Sequence, residues 1–463
     1  MVVQGPQSLF FHRILQGLSG FCVILYITAA AASFHFQIMM KPVRFLLAVP
    51  LLLVALLAAR PAFSAEVLTW EDCLREAGQH HPDLMSASES VRQAEAQRKI
   101  VRSGLLPAVN AEVGGSRSGS SGELPSSGSW SYAVTARQLL YDGSKTSRLV
   151  DESSENIRTS RYSADAVSSA TRLSLRTAFV ELLKAQQLVS LTWEIADKRK
   201  QNLRLIDLRY KAGREHRGSL SKAHADLAQA EFEVVQAKRN LELSQFRLGT
   251  VLGRESFVPL AVAGEFTVTE QTGTLPDFER IVKENPSYRM MVSRKEASRY
   301  SLEAARNAFM PELSLTTAVG RSAFDRWPSE EVDWQVGVNL AVPVYGGGSG
   351  RAAAEKARAA MHQLAADEKS GYLSLSRALQ DSWKELRDAV DNVSVSKKYL
   401  DAAVERARIA DAQYSAGLVS FNEWIIIEDN LVSSKKSYLN ARADMLLAEA
   451  KWTRAKGGTL EIR

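Results

Sequence analysis

The side chains of this 463-residue chain that could do covalent or metal chemistry are few and poorly spaced for it. Gly143-Ser144-Lys145-Thr146 and Gly346–Arg351 each follow a strand pattern and precede a helix pattern, which is the setting of a phosphate-binding loop. Neither has the G-x-x-x-x-G-K-[ST] spacing that wraps backbone N–H groups around a phosphate, and Gly350 is followed by Arg351. As the same junction occurs twice, a backbone turn is the better explanation. His80-His81 precede Pro82, while His216 and His224 stand eight apart, and there is no H-E-x-x-H or Cys/His cluster to hold zinc. No serine sits in a G-x-S-x-G elbow. The expectation is a protein that is not an enzyme and needs neither cofactor nor metal.

Bulk properties narrow the class further. With 24% charged and 45% hydrophobic residues the chain is too polar for a polytopic helical membrane protein. The excess of 58 basic over 52 acidic residues is small and scattered, so a nucleic-acid partner is not expected. Two cysteines, Cys22 and Cys73, allow one disulfide at most.

Residues 1–65 read as a targeting segment. Lys41 and Arg44 form a positive n-region, Phe45–Ala59 an apolar h-region, and Pro61–Ala65 a run of small residues for cleavage after Ser64 or Ala65. The apolar run is short for a span of roughly 20 residues. Residues 1–38 precede a better start at Met39 or Met40 and fit an over-extended start. Cleavage would remove Cys22 and leave Cys73 alone, as a buried thiol. Beyond residue 65 no run reaches the roughly 18 apolar residues of a spanning helix, so the mature chain crosses a membrane as strands or not at all.

The mature chain is one unit written twice. Pro82 and Pro286 differ by 204, as do Pro107 and Pro311, Trp130 and Trp334, Tyr141 and Tyr345, Tyr210 and Tyr414, and Gly213 and Gly417. A constant offset over six landmarks indicates tandem duplication, with repeats at 66–270 and 271–463. In each, a proline opens a helix, expected over Asp83–Ser103 and Ser287–Ala308. Pro107 and Pro311 then end those helices. Two alternating strands follow, around a Gly/Ser-rich loop placed at Gly114–Ser129. Gly143 and Gly347 mark the turn from strand into a long helix, which in the first repeat spans about Ser147 to Lys211. Three–four spacing runs through Leu175, Phe179, Leu182, Val189, Trp193, Ala196 and Leu203, and through Leu379, Trp383, Leu386, Val390, Val393, Leu400, Val404 and Ala407. That spacing puts Trp193 and Trp383 in the packed seam. Tyr-x-Ala-Gly (Tyr210–Gly213, Tyr414–Gly417) breaks each long helix, and a return helix follows.

A helix near 65 residues is roughly 100 Å long and needs parallel neighbours to cover it. Four strands of about ten residues suit an outer-membrane strand but cannot close a barrel alone. Lipid does not tolerate an open sheet edge, so copies would have to share one barrel. A dimer gives 8 strands and a trimer 12, and the larger encloses an obvious aqueous lumen. Trp130, Tyr132, Trp327 and Trp334 near strand ends suit an interfacial aromatic belt. The alternative is an amphipathic sheet packed on the helices of a soluble protein.

The order helix, Pro-strand, strand, Tyr-x-Gly, long helix, Tyr-x-Ala-Gly, long helix, all repeated, resembles the TolC-like outer membrane efflux proteins. Leu68–Leu74 and His81–Leu84 look like that family's N-terminal signature, and the resemblance covers about Leu68 to Gly457. It implies a mainly α fold with a transmembrane β-barrel: a homotrimer whose 12-stranded barrel lies in outer membrane lipid and continues into a periplasmic α-barrel of coiled-coil helices. It further implies a passive exit duct for tripartite efflux or type I secretion, joined to a periplasmic adapter (membrane fusion) protein and an inner-membrane transporter. By that resemblance the tips, with Tyr210, Gly213, Arg214, Tyr414, Gly417, Leu418 and Ser420, dock the adapter. Gly417-Leu418-Val419-Ser420 matches the family's usual tip, whereas Gly213-Arg214-Glu215-His216-Arg217-Gly218-Ser219 departs from it. Glu423 stands at the first position of the family's acidic aperture ring, Ile426 replaces the second acid, and Ser219 occupies the equivalent place in the first half. Glu423 reads equally as an aperture acid and as a solvated helix residue. A soluble periplasmic coiled-coil adapter is the competing class, but adapters nest one hairpin in mirrored β-domains, and this chain repeats two directly.

Overall fold

A computed structural model describes residues 66–119, 127–268, 274–328 and 331–460. The targeting segment, with Cys22, and the centre of the Gly/Ser-rich loop lie outside the described residues. Two helices open the first repeat, α1 (Trp70–His80) and α2 (Pro82–Ser103), after a short strand β1 (Glu66–Leu68). Thr69 starts α1 through a reciprocal capping box with Asp72. His81 caps α2, where Pro82 at the first turn has no N–H to lose. Strands β2 (Ala108–Ser118) and β3 (Ser127–Tyr141) follow, then α3 (Lys145–Lys211), α4 (Arg217–Leu252) and β4 (Leu260–Val262). The second repeat has the same order of helices and long strands: α5 (Phe278–Glu284), α6 (Pro286–Asn307), β5 (Glu312–Phe324), β6 (Asp333–Ala341), α7 (Ser349–Ala416) and α8 (Phe421–Ala455). Both expected Pro-initiated helices are present, capped by His81 and Asn285. At 67 and 68 residues, α3 and α7 each run roughly 100 Å.

The strands are longer than expected. β2 reaches Ser118 and β3 begins at Ser127, so both enter the segment read as loop, Gly114–Ser129. Glycine and serine give no hydrophobic alternation, but ladder hydrogen bonds need only backbone, and Gly114 to Ser118 pair with Ser131 to Ser127.

All four long strands form one antiparallel sheet in the order β2-β3-β5-β6, so the two repeats join at β3 and β5. Register aligns the alternation across it. Ala111 lies opposite Val134, Val134 opposite Val319, and Val319 opposite Trp334. As successive residues face opposite sides, Val109, Ala111 and Val113 share a face with Trp130 to Ala136, Leu313 to Val319 and Trp334 to Leu340. The opposite face carries Asn110, Glu112, Thr135, Arg137, Thr316, Gln335 and Asn339, with Arg137 bridging to Glu312 at 3.0 Å. On the apolar face Trp327 stacks on Tyr132 at 5.8 Å and approaches Trp130 at 6.1 Å. The strands β2 and β6 are the sheet's edges. No described helix is long and apolar enough to cross a membrane.

Among the described residues the buried apolar side chains form four clusters, one of which joins Ile195 and Ala196 of α3 to Ala230 and Val234 of α4. Around the β1–β4 parallel pair, Leu175, Phe179 and Leu182 of α3 pack with Cys73, Leu248, Leu252, Leu260 and Leu446. Cys73 is fully buried there, and burial pushes its thiol up to about 12. Trp383 packs against Trp452, Val282, Leu379 and Leu386. Trp193 does not join the expected seam. It is 52% exposed, with the Lys238 ammonium 4.9 Å from its ring. The remaining cluster lies at the hairpin tips.

Candidate tip and aperture site

Each long hairpin turns through the same backbone device. In the first tip Gly213 has φ +69°, its N–H donates to the Tyr210 carbonyl at 2.9 Å, and the Arg214 N–H donates to Arg209 O at 2.8 Å. In the second, Gly417 has φ +79°, its N–H donates to Tyr414 O at 3.0 Å, and Leu418 N–H to Gln413 O at 2.8 Å. These left-handed C′ glycines with paired return bonds satisfy the last carbonyls of α3 and α7. The return helices are capped at equivalent positions by different chemistry. His216 Nδ1 accepts from Ser219 N–H at 3.2 Å, and Ser420 Oγ accepts from Glu423 N–H at 3.2 Å.

Side chains then break the symmetry. Tyr414 is 2% exposed, while its counterpart Tyr210 is 39% exposed. The Tyr414 ring stacks on Trp424 at 4.5 Å with planes 3° apart, and packs with Phe421, Ile206 and Ala223. At the positions of Phe421 and Trp424 the first repeat has Arg217 and Leu220, so Tyr210 meets no such aromatic partners. Arg209 covers the other side of Tyr414 at 4.3 Å and donates to the carbonyls of Tyr414 at 2.7 Å and Ser415 at 2.9 Å.

A polar clasp joins the hairpins at this point. The Tyr414 hydroxyl donates to Glu215 Oε2 at 2.8 Å, and Ser219 Oγ donates to Glu215 Oε1 at 2.9 Å. Burial and the hydrogen bond to Glu215 push the Tyr414 phenol up to about 12. Burial would raise the Glu215 carboxyl, but the bonds from Tyr414, Ser219 and the His216 N–H outweigh it and hold the group below the usual carboxylate range. Further from the tip, Trp424 Nε1 donates to Asp411 Oδ1 at 2.7 Å, Lys198 Nζ bridges to Asp411 Oδ2 at 2.8 Å, and Arg199 pairs with Asp429. Within this layer Glu428 is 3% exposed. Burial, reinforced by the charge of Asp411, raises its carboxyl despite Lys198, Arg199 and Asn202.

Arg214, Gly417, Leu418 and Ser420 all lie exposed at the tips. Glu423 is exposed in the first turn of α8, on the same side as Ile426. The structure thus brings Tyr414 together with Arg209, Glu215 and Trp424, and Trp424 with Asp411. Glu215 was legible only as a charge within an atypical turn, and its partner lies 199 positions away. The helix–strand junctions stand apart from this site. Pro107 and Pro311 directly precede β2 and β5, and Gly143 and Gly347 take φ +66° and +62° before α3 and α7. At Gly143 a Cβ would come within 2.3 Å of Met310 Cβ, so both conformation and space require glycine.

Known proteins resemble this chain in sequence and in fold. The cation efflux system protein CusC of Escherichia coli O157:H7 is 22% identical over 409 residues, covering 83% of this chain and 85% of CusC. The solvent efflux pump outer membrane protein SrpC of Pseudomonas putida is 22% identical over 405 residues, covering 82% of this chain and 83% of SrpC. The crystal structure of the open state of the Neisseria gonorrhoeae MtrE outer membrane channel superposes with a TM-score of 0.76 at 19% identity, over 84% of this chain and 89% of that one. The sequence model of the outer membrane efflux protein family matches residues 73–254 and 279–458, one segment in each repeat. The chain belongs to the outer membrane efflux protein family.

Proposed function

We propose that three copies of this chain form one passive duct, a shared barrel through the outer membrane leading into a helical conduit in the periplasm. The observation that carries this reading is the sheet. Its register places a continuous apolar face opposite a polar one, and it ends at two edge strands, β2 and β6. In lipid both edges need partners, and edge-to-edge closure of copies supplies them. Three copies give about twelve strands, enough for an aqueous lumen. The chain is then two repeats, 66–270 and 271–463, behind a cleaved segment, 1–65. It acts by passage rather than by a catalysed step.

The tips are the docking end. Leu418, Ser420, Gly213 and Arg214 are offered outward for a periplasmic adapter that links the duct to an inner-membrane transporter. Glu423 from each copy would form a ring of carboxylates at the aperture, which attracts cations in a narrow pore. CusC is named for cations and SrpC for solvents, so membership alone does not fix the cargo. Reconstitution of the mature chain into planar bilayers is the test. Discrete ion-conducting steps are expected, and a silent bilayer containing verified protein would overturn the duct reading.

A further inference from the structure

We infer that the first tip is a cationic docking surface, selective for an adapter hairpin whose turn carries aspartate or glutamate. This rests on the reading that the tips dock an adapter and adds the chemistry of the partner. In sequence the turn Arg214-Glu215-His216-Arg217 is of mixed charge. The fold sorts it. The Glu215 side chain is turned inward, 10% exposed, with its two oxygens taken by Tyr414 and Ser219. Arg214 and Arg217 are exposed, and neither side chain forms a hydrogen bond or ion pair among the described residues. His216 is exposed at its edge and occupied in capping α4. Lys211, also exposed, is held by Asp207 at 2.7 Å.

Water therefore meets two unneutralised guanidinium groups, while the one nearby carboxylate of the turn is spent on the clasp. The second tip is unlike it at each equivalent position. Leu418, 75% exposed, replaces Arg214, and buried Phe421 replaces Arg217. One hairpin thus offers an apolar knob and the other a pair of forks suited to bidentate carboxylate contacts. Exposed charges of this kind set partner choice and on-rate, and their effect weakens as salt shortens the screening length.

Two measurements separate this inference from the docking reading. A photo-crosslinking residue at Leu418 in cells tests docking itself: adducts with a periplasmic helical-hairpin protein support it, and their absence removes it. For the charge inference, the purified full mature chain is titrated with a disulfide-closed helical hairpin made in three versions, its turn carrying two Glu, two Ser or two Lys. The Glu version should bind about tenfold more tightly than the Ser version at 50 mM NaCl, and the Lys version most weakly. The preference should shrink toward 500 mM NaCl and vanish in R214S/R217S. Equal binding of the three versions, no binding by any, or a preference that survives R214S/R217S would each overturn the inference, whatever the crosslink shows. Binding of the chain to phosphatidylglycerol vesicles that R214S/R217S abolishes, with no Glu preference among hairpins, would assign the arginines to lipid instead.

Discussion

Removing one oxygen atom from the tip should loosen the two hairpins by a calculable amount. Tyr414→Phe keeps the ring that stacks on Trp424 at 4.5 Å and lies under Arg209 at 4.3 Å, and deletes only the hydroxyl donating to Glu215 at 2.8 Å. A hydrogen bond to a charged partner contributes about 1.5–3 kcal/mol. Glu215 keeps Ser219 as a donor, which places the loss near the lower end, about 1.5–2 kcal/mol. Opening of the tip would then be roughly 10- to 30-fold more frequent. Amide hydrogen exchange over the first turns of α4 and α8 reads this directly, since those amides are released when the clasp opens. Glu215→Gln should act similarly, and the double variant should be little worse than either single one. Additive effects of the two substitutions would refute the coupling. The pH range is also fixed. Glu215 lies below its usual value, so its share is fully present above about pH 4.3 and is lost as pH falls through the lowered folded value. The Tyr414 phenol is raised, so its share is complete below about pH 10 and is lost as pH rises through about 12.

Other perturbations act at separate places in the fold. Glu423→Ala should weaken cation preference, measured as a shift of reversal potential in a salt gradient toward that of a neutral pore. Glu428→Gln should raise the melting temperature at pH 7, because the folded pKa of Glu428 is raised and its buried charge costs stability above the unfolded value. The advantage should narrow on acidification, and a gap independent of pH would argue against a titrating carboxylate. Gly253 and Gly417 both have positive φ, but a Cβ at Gly253 would meet His80 O at 2.7 Å, whereas Gly417 has open space. Gly417→Ala should therefore cost about 1 kcal/mol of backbone strain, and Gly253→Ala clearly more, by comparative denaturant melts.

The features that could be read from sequence were those that local spacing controls. Pro82 and Pro286, the left-handed glycines Gly213 and Gly417, and the alternation in Trp334 to Leu340 each act through neighbours within a turn or across a pleat, and each reappears in the structure. Trp193 shows where spacing fails. Ala196, the next position of the same stripe, is buried with Ala230 and Val234, while Trp193 is 52% exposed with Lys238 against its ring, so spacing along one helix does not fix which of its side chains a neighbouring helix covers. Tyr210 and Tyr414 show a different limit. Their local motifs match, and their burial is set by Phe421 and Trp424 on the return helix of only one hairpin. The ends of β2 and β3 were hidden for want of apolar residues, although their backbones pair throughout. The clasp at Glu215 depends on contacts between repeats about 200 positions apart, which no local pattern records.

The proposed duct requires that copies of the chain complete a barrel that one copy cannot. Light scattering of the mature chain extracted from outer membranes, corrected for bound detergent, measures this most directly. The expected result is a particle of three chains that requires detergent for release. A monomer released without detergent would mean that the four strands never enter lipid, and would contradict the shared barrel.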